Sequence, residues 1–233
     1  MRRSASARPD LRRSPRALRP TQADSARRPP RRTQESRSKL AREKLLQATI
    51  ELLQERGYHG LTTKEVAARA GFSNGALMHH FSTKAELVIA AGAYIYGRHI
   101  ENGRKAANSA TARSNPLKAF IADCEEVYLG SSFIPTIEMM VPARSDPLMN
   151  APFDAFMHDY RKTMNDIWLK AFMRAGYSEA DASFVMMSTL YVIRGMAINS
   201  IWQKNLPYYR SFLREWAKIE STGALKGGRA PVR

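Results

Sequence analysis

Cysteine is almost absent from this 233-residue chain. Cys124 stands alone, which excludes an internal disulfide framework and suits a reducing compartment. It sits in an apolar-periodic stretch, where an inert, partly buried thiol is expected rather than a nucleophile. No stretch reaches the roughly 18 consecutive apolar residues of a membrane-spanning helix, so no membrane partner is expected. Histidine is equally sparse. His59, His79, His80, His99 and His158 lack metal-ligand spacing with Cys, Asp or Glu, so no metal site is expected. A P-loop, a dinucleotide fingerprint and a nucleophile elbow are also missing. Catalytic residues and cofactors are therefore not expected, and the enzyme class is disfavoured. Acid is scarce as well: 21 Asp and Glu stand against 37 Lys and Arg, for a net charge of +16. Such an excess favours polyanions, with nucleic acid and anionic membrane surfaces as the ordinary candidates.

What is present divides the chain. Residues 1–37 hold twelve Arg against Asp10, Asp24 and Glu35, a net +9 that leaves +7 for the remainder. The segment 1–36 is rich in Arg, Ser, Pro and Ala and carries too little apolar surface to offset the entropy of ordering, which predicts a disordered tail. It lacks the apolar core of a secretory signal. Two readings of it stand: a solvated extension or a start codon set too far upstream, and an Arg arm lying along phosphates or in a minor groove.

At 44% hydrophobic overall, the chain has enough apolar material to bury a core. From Leu40 the pattern is helical, with Leu45, Ala48, Thr49 and Leu52 on one face and Gly57 as a stop signal. Thr62-x-x-Glu65 forms a capping box, where hydroxyl and carboxylate satisfy each other's orphan amides, and a short helix Thr63–Ala70 ends at Gly71. Ser73 caps a third helix running to about His80, and Thr83-x-x-Glu86 opens a fourth. Gly75 weakens that third helix, so packing must hold it. Helix, tight turn and short helix is the way a helix-turn-helix presents one element to the major groove. Val66, Ala70, Phe72, Leu77 and Phe81 form the apolar seam behind it.

Beyond residue 90 no β-type alternation persists, and an all-α fold is expected. Met149, Phe153, Met157, Tyr160, Met164, Ile167, Trp168 and Phe172 make a stripe at helical spacing, with Pro147 in its first turn and Gly176 as its stop. A helix from Ser178-x-x-Asp181 is apolar nearly all round over Phe184–Ile198 and so needs neighbours on every face, the second of them expected to be another subunit. A last helix starts at Pro207, and a flexible C-terminal tail is expected over 223–233.

The residues Gly57-Tyr58, Thr62, Gly71-Phe72-Ser73, Met78-His79-His80-Phe81 and Lys84, spread over 42–91, resemble the N-terminal domain of the TetR family of transcriptional regulators. The resemblance implies an N-terminal three-helix helix-turn-helix domain over 37–84 and a helical effector-binding and dimerisation domain over 85–222. It implies a homodimer through the last two helices that holds two recognition helices against a palindromic double-stranded DNA operator. On this basis Lys64, Asn74, Gly75 and Ala76 are candidates for groove contacts. Thr62, Thr63, Ser73, Met78, His79 and Lys84 are candidates for backbone contacts. Position 78 is commonly Tyr in the family, and Met78 cannot make that hydroxyl's phosphate contact. The resemblance also implies a small-molecule pocket, for which Met139, Met140, Phe153, Met157, Trp168, Phe172, Met187 and Tyr191 are candidates, and a small, largely apolar effector. Taken residue by residue, an ordinary core role at helical spacing is the stronger reading of each. Arg194, inside an otherwise apolar helix, is either a ligand anchor or a member of an interface ion pair. The expected function is a ligand-released repressor in the bacterial cytoplasm, associated with the nucleoid. A non-specific polyanion binder acting through the Arg-rich tail is the alternative from another class, and an activator without an effector is a third.

Overall fold

A computed structural model gives the architecture of residues 33–221, which form ten α-helices and, among these described residues, no strand. The tail expected up to residue 36 lies outside them except for its last four residues, and so does the tail expected from 223. Helix α1 (Gln34–Gly60) begins earlier than the apolar spacing from Leu40 implies. Thr33 accepts from the Ser36 N–H at 3.2 Å, and Glu35 in the first turn complements the positive end of the helix dipole. Those start signals are polar and leave no trace in apolar spacing. The helix buries Leu45, Leu46, Ala48, Leu52 and Leu53, then breaks at Gly57, whose φ of 69° is the left-handed region open to glycine.

Helices α2 (Thr63–Ala70) and α3 (Asn74–His80) follow the expected local chemistry. Thr62 Oγ1 accepts from the Glu65 N–H and donates to its carboxylate, closing the capping box. Gly71 caps α2 at φ 78°, and its N–H and that of Phe72 return to carbonyls of the last turn. Ser73 Oγ accepts from Ala76 N–H at 3.1 Å, and Thr83 Oγ1 from Glu86 N–H at 3.0 Å.

Helix α4 (Lys84–Ala107) leads away from this unit into α5 (Ala110–Ser114), α6 (Pro116–Tyr128), α7 (Phe133–Ala143), α8 (Pro147–Arg174), α9 (Glu179–Asn199) and α10 (Leu206–Ser221). Asp146 caps α8 with Pro147 in its first turn, the chain turns beyond its end at Gly176, and Ser178 accepts from Asp181 N–H to start α9. No helix among the described residues is long and apolar enough to cross a membrane.

Two cores result. The first joins α1, α2 and α3 to the front half of α4 through Leu87, Val88, Ala91 and Ile95, and it also takes Met139, Ala143, Met149 and Phe153. It therefore reaches past residue 84, because α4 is too long to stop at the domain edge and α7 packs back on α1. The second core gathers Leu117, Phe120, Trp168, Phe172, Val185, Ile193 and Leu213 from α6, α8, α9 and α10. Helices α4 and α8 run through both, so the two cores are mechanically continuous.

Candidate nucleic-acid interface and ligand cavity

On the outer face of α2 and α3, Thr62, Lys64, Ser73, Asn74, Gly75, Met78 and His79 are exposed, while Thr63, Ala76 and Lys84 are half-buried. Leu77 and Phe81 anchor the opposite face of α3, at 0% and 1% exposure, which holds a short glycine-containing helix in place. Helix α3 contains no acid, and nearby Glu side chains are already paired. Arg69 grips Glu55 with two bonds of 2.6 and 2.8 Å, and Arg56 meets Glu65. The Thr62 hydroxyl, followed by Arg56, holds the Glu65 carboxyl below its ordinary range, and the Arg69 hydrogen bond does the same to Glu55. These pairs leave Lys64 as the cation directed outward from α2. Arg42, which spacing alone did not single out, lays its guanidinium 4.4 Å from the Phe81 ring and reaches the His80 carbonyl at 3.5 Å. That contact links positions 38 residues apart and has no local signal.

Behind this face lies a junction. The Tyr58 N–H, freed by the break at Gly57, donates to Glu138 Oε2 of α7 at 2.8 Å. The Tyr58 hydroxyl donates to Asp146 Oδ2 at 3.2 Å. Burial and then Asp146 push the Tyr58 phenol upward. Lys84 Nζ lies 4.3 Å from the Tyr58 ring, and burial holds its ammonium below the ordinary lysine value. A Cβ at Gly57 would stand 2.5 Å from the Glu138 carboxylate. Backbone shape at the end of α1 and the carboxylate of α7 are thus fitted to one another.

Between α6, α8 and α9 lies a cavity of about 410 Å³. Phe120, Trp168, Met186 and Leu190 give it apolar walls, and Arg194 and Asp123 are its inner charged groups. Trp168 Nε1 donates to Asp123 Oδ2 at 2.9 Å. Burial pushes Asp123 up to about 6 against the pull of that bond. Arg194 donates from Nε and Nη2 to the Tyr128 hydroxyl at 3.2 and 2.9 Å. Cys124 is buried in the same wall, and desolvation pushes its thiol up, away from the reactive thiolate form. A larger groove of about 520 Å³ between α1, α4 and α6 is lined by Gln47, Glu51, Arg98, Glu125 and Glu126, a polar and mixed-charge surface.

Of the eight residues expected to line a pocket, the cavity brings together Trp168, Met187 and Tyr191. The other five lie elsewhere. Met139 is fully buried in the first core beneath α4, Phe153 is buried beside it and Met157 packs against the same cluster. Phe172 is fully buried within the second core, edge-on to Phe120 and Tyr177. Met140 points outward, 44% exposed. Helical spacing marks the buried side of α8 but not which of two cores each turn meets. Asp123, Tyr128 and Tyr160 were missed; an acid within the apolar run of α6 was the available signal for Asp123.

A fold whose described residues form only helices, with a capped, outward-facing α3 on a three-helix unit and a helical domain with its own cavity, is that of a helix-turn-helix transcription regulator. Residues 45–91 match the family described as bacterial regulatory proteins, tetR family. The chain is 30% identical over 177 residues to the HTH-type transcriptional regulator CymR of Pseudomonas putida, covering 76% of this chain and 87% of that one. Its fold is similar to a putative transcriptional regulator of Saccharomonospora viridis in complex with choline (TM-score 0.61, 17% identity, 76% of this chain and 95% of the other). It is also similar to FadR of Bacillus subtilis in complex with stearoyl-CoA (TM-score 0.56, 15% identity, 78% and 98%). The chain belongs to the TetR family of bacterial transcriptional regulators and is a DNA-binding regulator.

Proposed function

We propose that this regulator is a repressor that binds a palindromic operator as a homodimer in the bacterial cytoplasm, at the nucleoid, and leaves it when a small effector fills the cavity between α6, α8 and α9. The observation that carries the reading is the exposed, acid-free outer face of α3, held by Leu77 and Phe81 from behind. In this reading Asn74, Gly75, Ala76 and Lys64 face the groove. Thr62, Thr63, Ser73, Met78, His79 and Lys84 meet the backbone, the capped helix ends offering N–H groups to phosphate. The dimer forms through α9 and α10, where Tyr191, Ile198, Tyr208 and Phe212, with Trp202 in the connection between them, leave large apolar surface exposed. Release works through α4, which starts at Lys84 behind α3 and ends at Ala107 in the second core. A ligand that favours one placement of α4 changes the spacing of two recognition helices and their fit to the half-sites. The choline and stearoyl-CoA complexes of similar folds support a ligand role for this chain.

The test is fluorescence anisotropy of the full chain on palindromes from the DNA flanking its own gene, with excess random duplex as competitor. One palindrome should keep its preference under competition, and a reporter driven through it should be silenced by the chain. Equal binding to random duplex would leave a non-specific polyanion binder instead.

A further inference from the structure

We infer that the cavity between α6, α8 and α9 takes an amphipathic monocarboxylate, an apolar body whose single anionic head is received by Arg194. The regulatory meaning of this site rests on the effector reading above; the binding chemistry stands on the cavity alone. Arg194 is half-buried in the last third of α9, and its guanidinium sits 5.2 Å from the Tyr128 ring while two of its nitrogens donate to the phenol. A neutral phenol positions that charge without neutralising it. No carboxylate lies within ion-pair distance of Arg194 among the described residues.

The one acid in the lining, Asp123, already accepts from Trp168. A cation at an apolar wall is costly unless an anion joins it, and a guanidinium fork suits a carboxylate. At the mouth, His158, Arg161 and Lys162 of α8 are exposed and add no acid. The remaining walls are mainly aromatic, thioether and aliphatic, with Cys124 and Asn165 among them, and about 410 Å³ falls within the roughly 300–1,000 Å³ of small-ligand sites. A cationic ligand would meet Arg194, Arg161 and Lys162; a purely apolar one would leave Arg194 uncompensated. The head group is where this departs from the largely apolar effector expected from sequence.

Thermal shift and calorimetry on the full chain test it, with benzoate, 4-phenylbutyrate and decanoate, and with the primary amide and the trimethylammonium analogue of each. At least one carboxylate should bind about 10-fold or more tighter than its amide, the size of one charge-assisted hydrogen-bonded contact, and no ammonium analogue should bind. Arg194→Met should lose the preference for carboxylate over amide, and Arg194→Lys should keep part of it, which separates loss of charge from loss of fold. The inference is overturned if no carboxylate binds, if amides or ammonium analogues bind as well, or if Arg194→Met keeps the preference. A carboxylate that binds yet leaves operator affinity unchanged would overturn effector release while the ligand class stands.

Discussion

The two cores of this molecule are built in different ways. Local capping is common to both: Thr33, Thr62, Ser73 and Thr83 each cap a helix around the first core, as Ser109, Asn115 and Ser178 do beyond it, so the difference lies in the interiors. The first core is bounded by closely packed aliphatic side chains. Its interior is apolar and closed, with Leu45, Leu53, Val66, Leu77, Leu87 and Val88 all at 0% exposure. The second contains Asp123 and Arg194, whose partners Trp168 and Tyr128 lie 45 and 66 residues away, around a cavity. A rigid unit suits the positioning of a recognition helix. A core with a void and a charge without a counter-ion suits a ligand. The contrast predicts that equivalent damage should have unequal consequences.

The largest effect is expected in the closed core. Phe81→Ala removes a ring that is 1% exposed and carries Arg42 on its face. It should cost about 3–5 kcal/mol, read as a fall in the denaturation midpoint, with loss of DNA binding. Met187→Ala at the cavity, where the side chain is already 37% exposed, should cost far less. Comparable losses at both positions would dissolve the distinction between a closed and an open core.

A pH experiment sharpens it. Burial raises Asp123 from 3.8 to about 6 and lowers His99 from 6.5 to about 4. The folded state therefore holds a proton on Asp123 that the unfolded chain has released, so this contribution is full below pH 3.8 and is lost as pH rises through about 6. For His99 the sign reverses: the contribution is full above pH 6.5 and is lost as pH falls toward about 4. The melting temperature of the wild type should thus drop relative to Asp123→Asn as pH rises over that interval, and relative to His99→Gln as pH falls over it. Parallel curves for either variant would contradict the assigned burial.

Between the cores, Glu138→Ala breaks the bond from α7 to the Tyr58 N–H. A hydrogen bond to a charged group contributes about 1.5–3 kcal/mol, so stability should fall by that order or less, since the site is only partly buried. The sharper readout is allosteric. A ligand that releases wild-type protein from its operator should release Glu138→Ala less completely, because α7 no longer reports on the end of α1. Undiminished release would assign the coupling to α4 alone.

The reading half was largely legible in sequence because its determinants are local. A Thr or Ser three residues before its amide partner, and Gly71 in the left-handed conformation, depend on nothing distant. The cavity was not legible, because α8 crosses both cores: Met149 and Phe153 face one, Trp168 and Phe172 the other. An apolar stripe records burial without recording the partner. Arg194 announced itself as an anomaly, yet only the fold sets it against Tyr128 rather than an acid.

The smallest effect tests the most local feature, the exposed side chain at position 78. Met78 is 42% exposed on the surface of α3, beside His79 and one turn from the Ser73 cap. A thioether offers a phosphate almost nothing, whereas a phenol in the same place donates a hydrogen bond. Met78→Tyr should therefore tighten operator binding by about 0.5–1.5 kcal/mol, the net value of one neutral hydrogen bond. Because the contact is to the backbone, random duplex should gain as much as the operator, leaving the specificity ratio unchanged. Protein stability should not move, since Leu77 and Phe81, not residue 78, hold the helix from behind. An improvement confined to the operator would instead place position 78 against a base edge, extending the reading head beyond Asn74, Gly75 and Ala76.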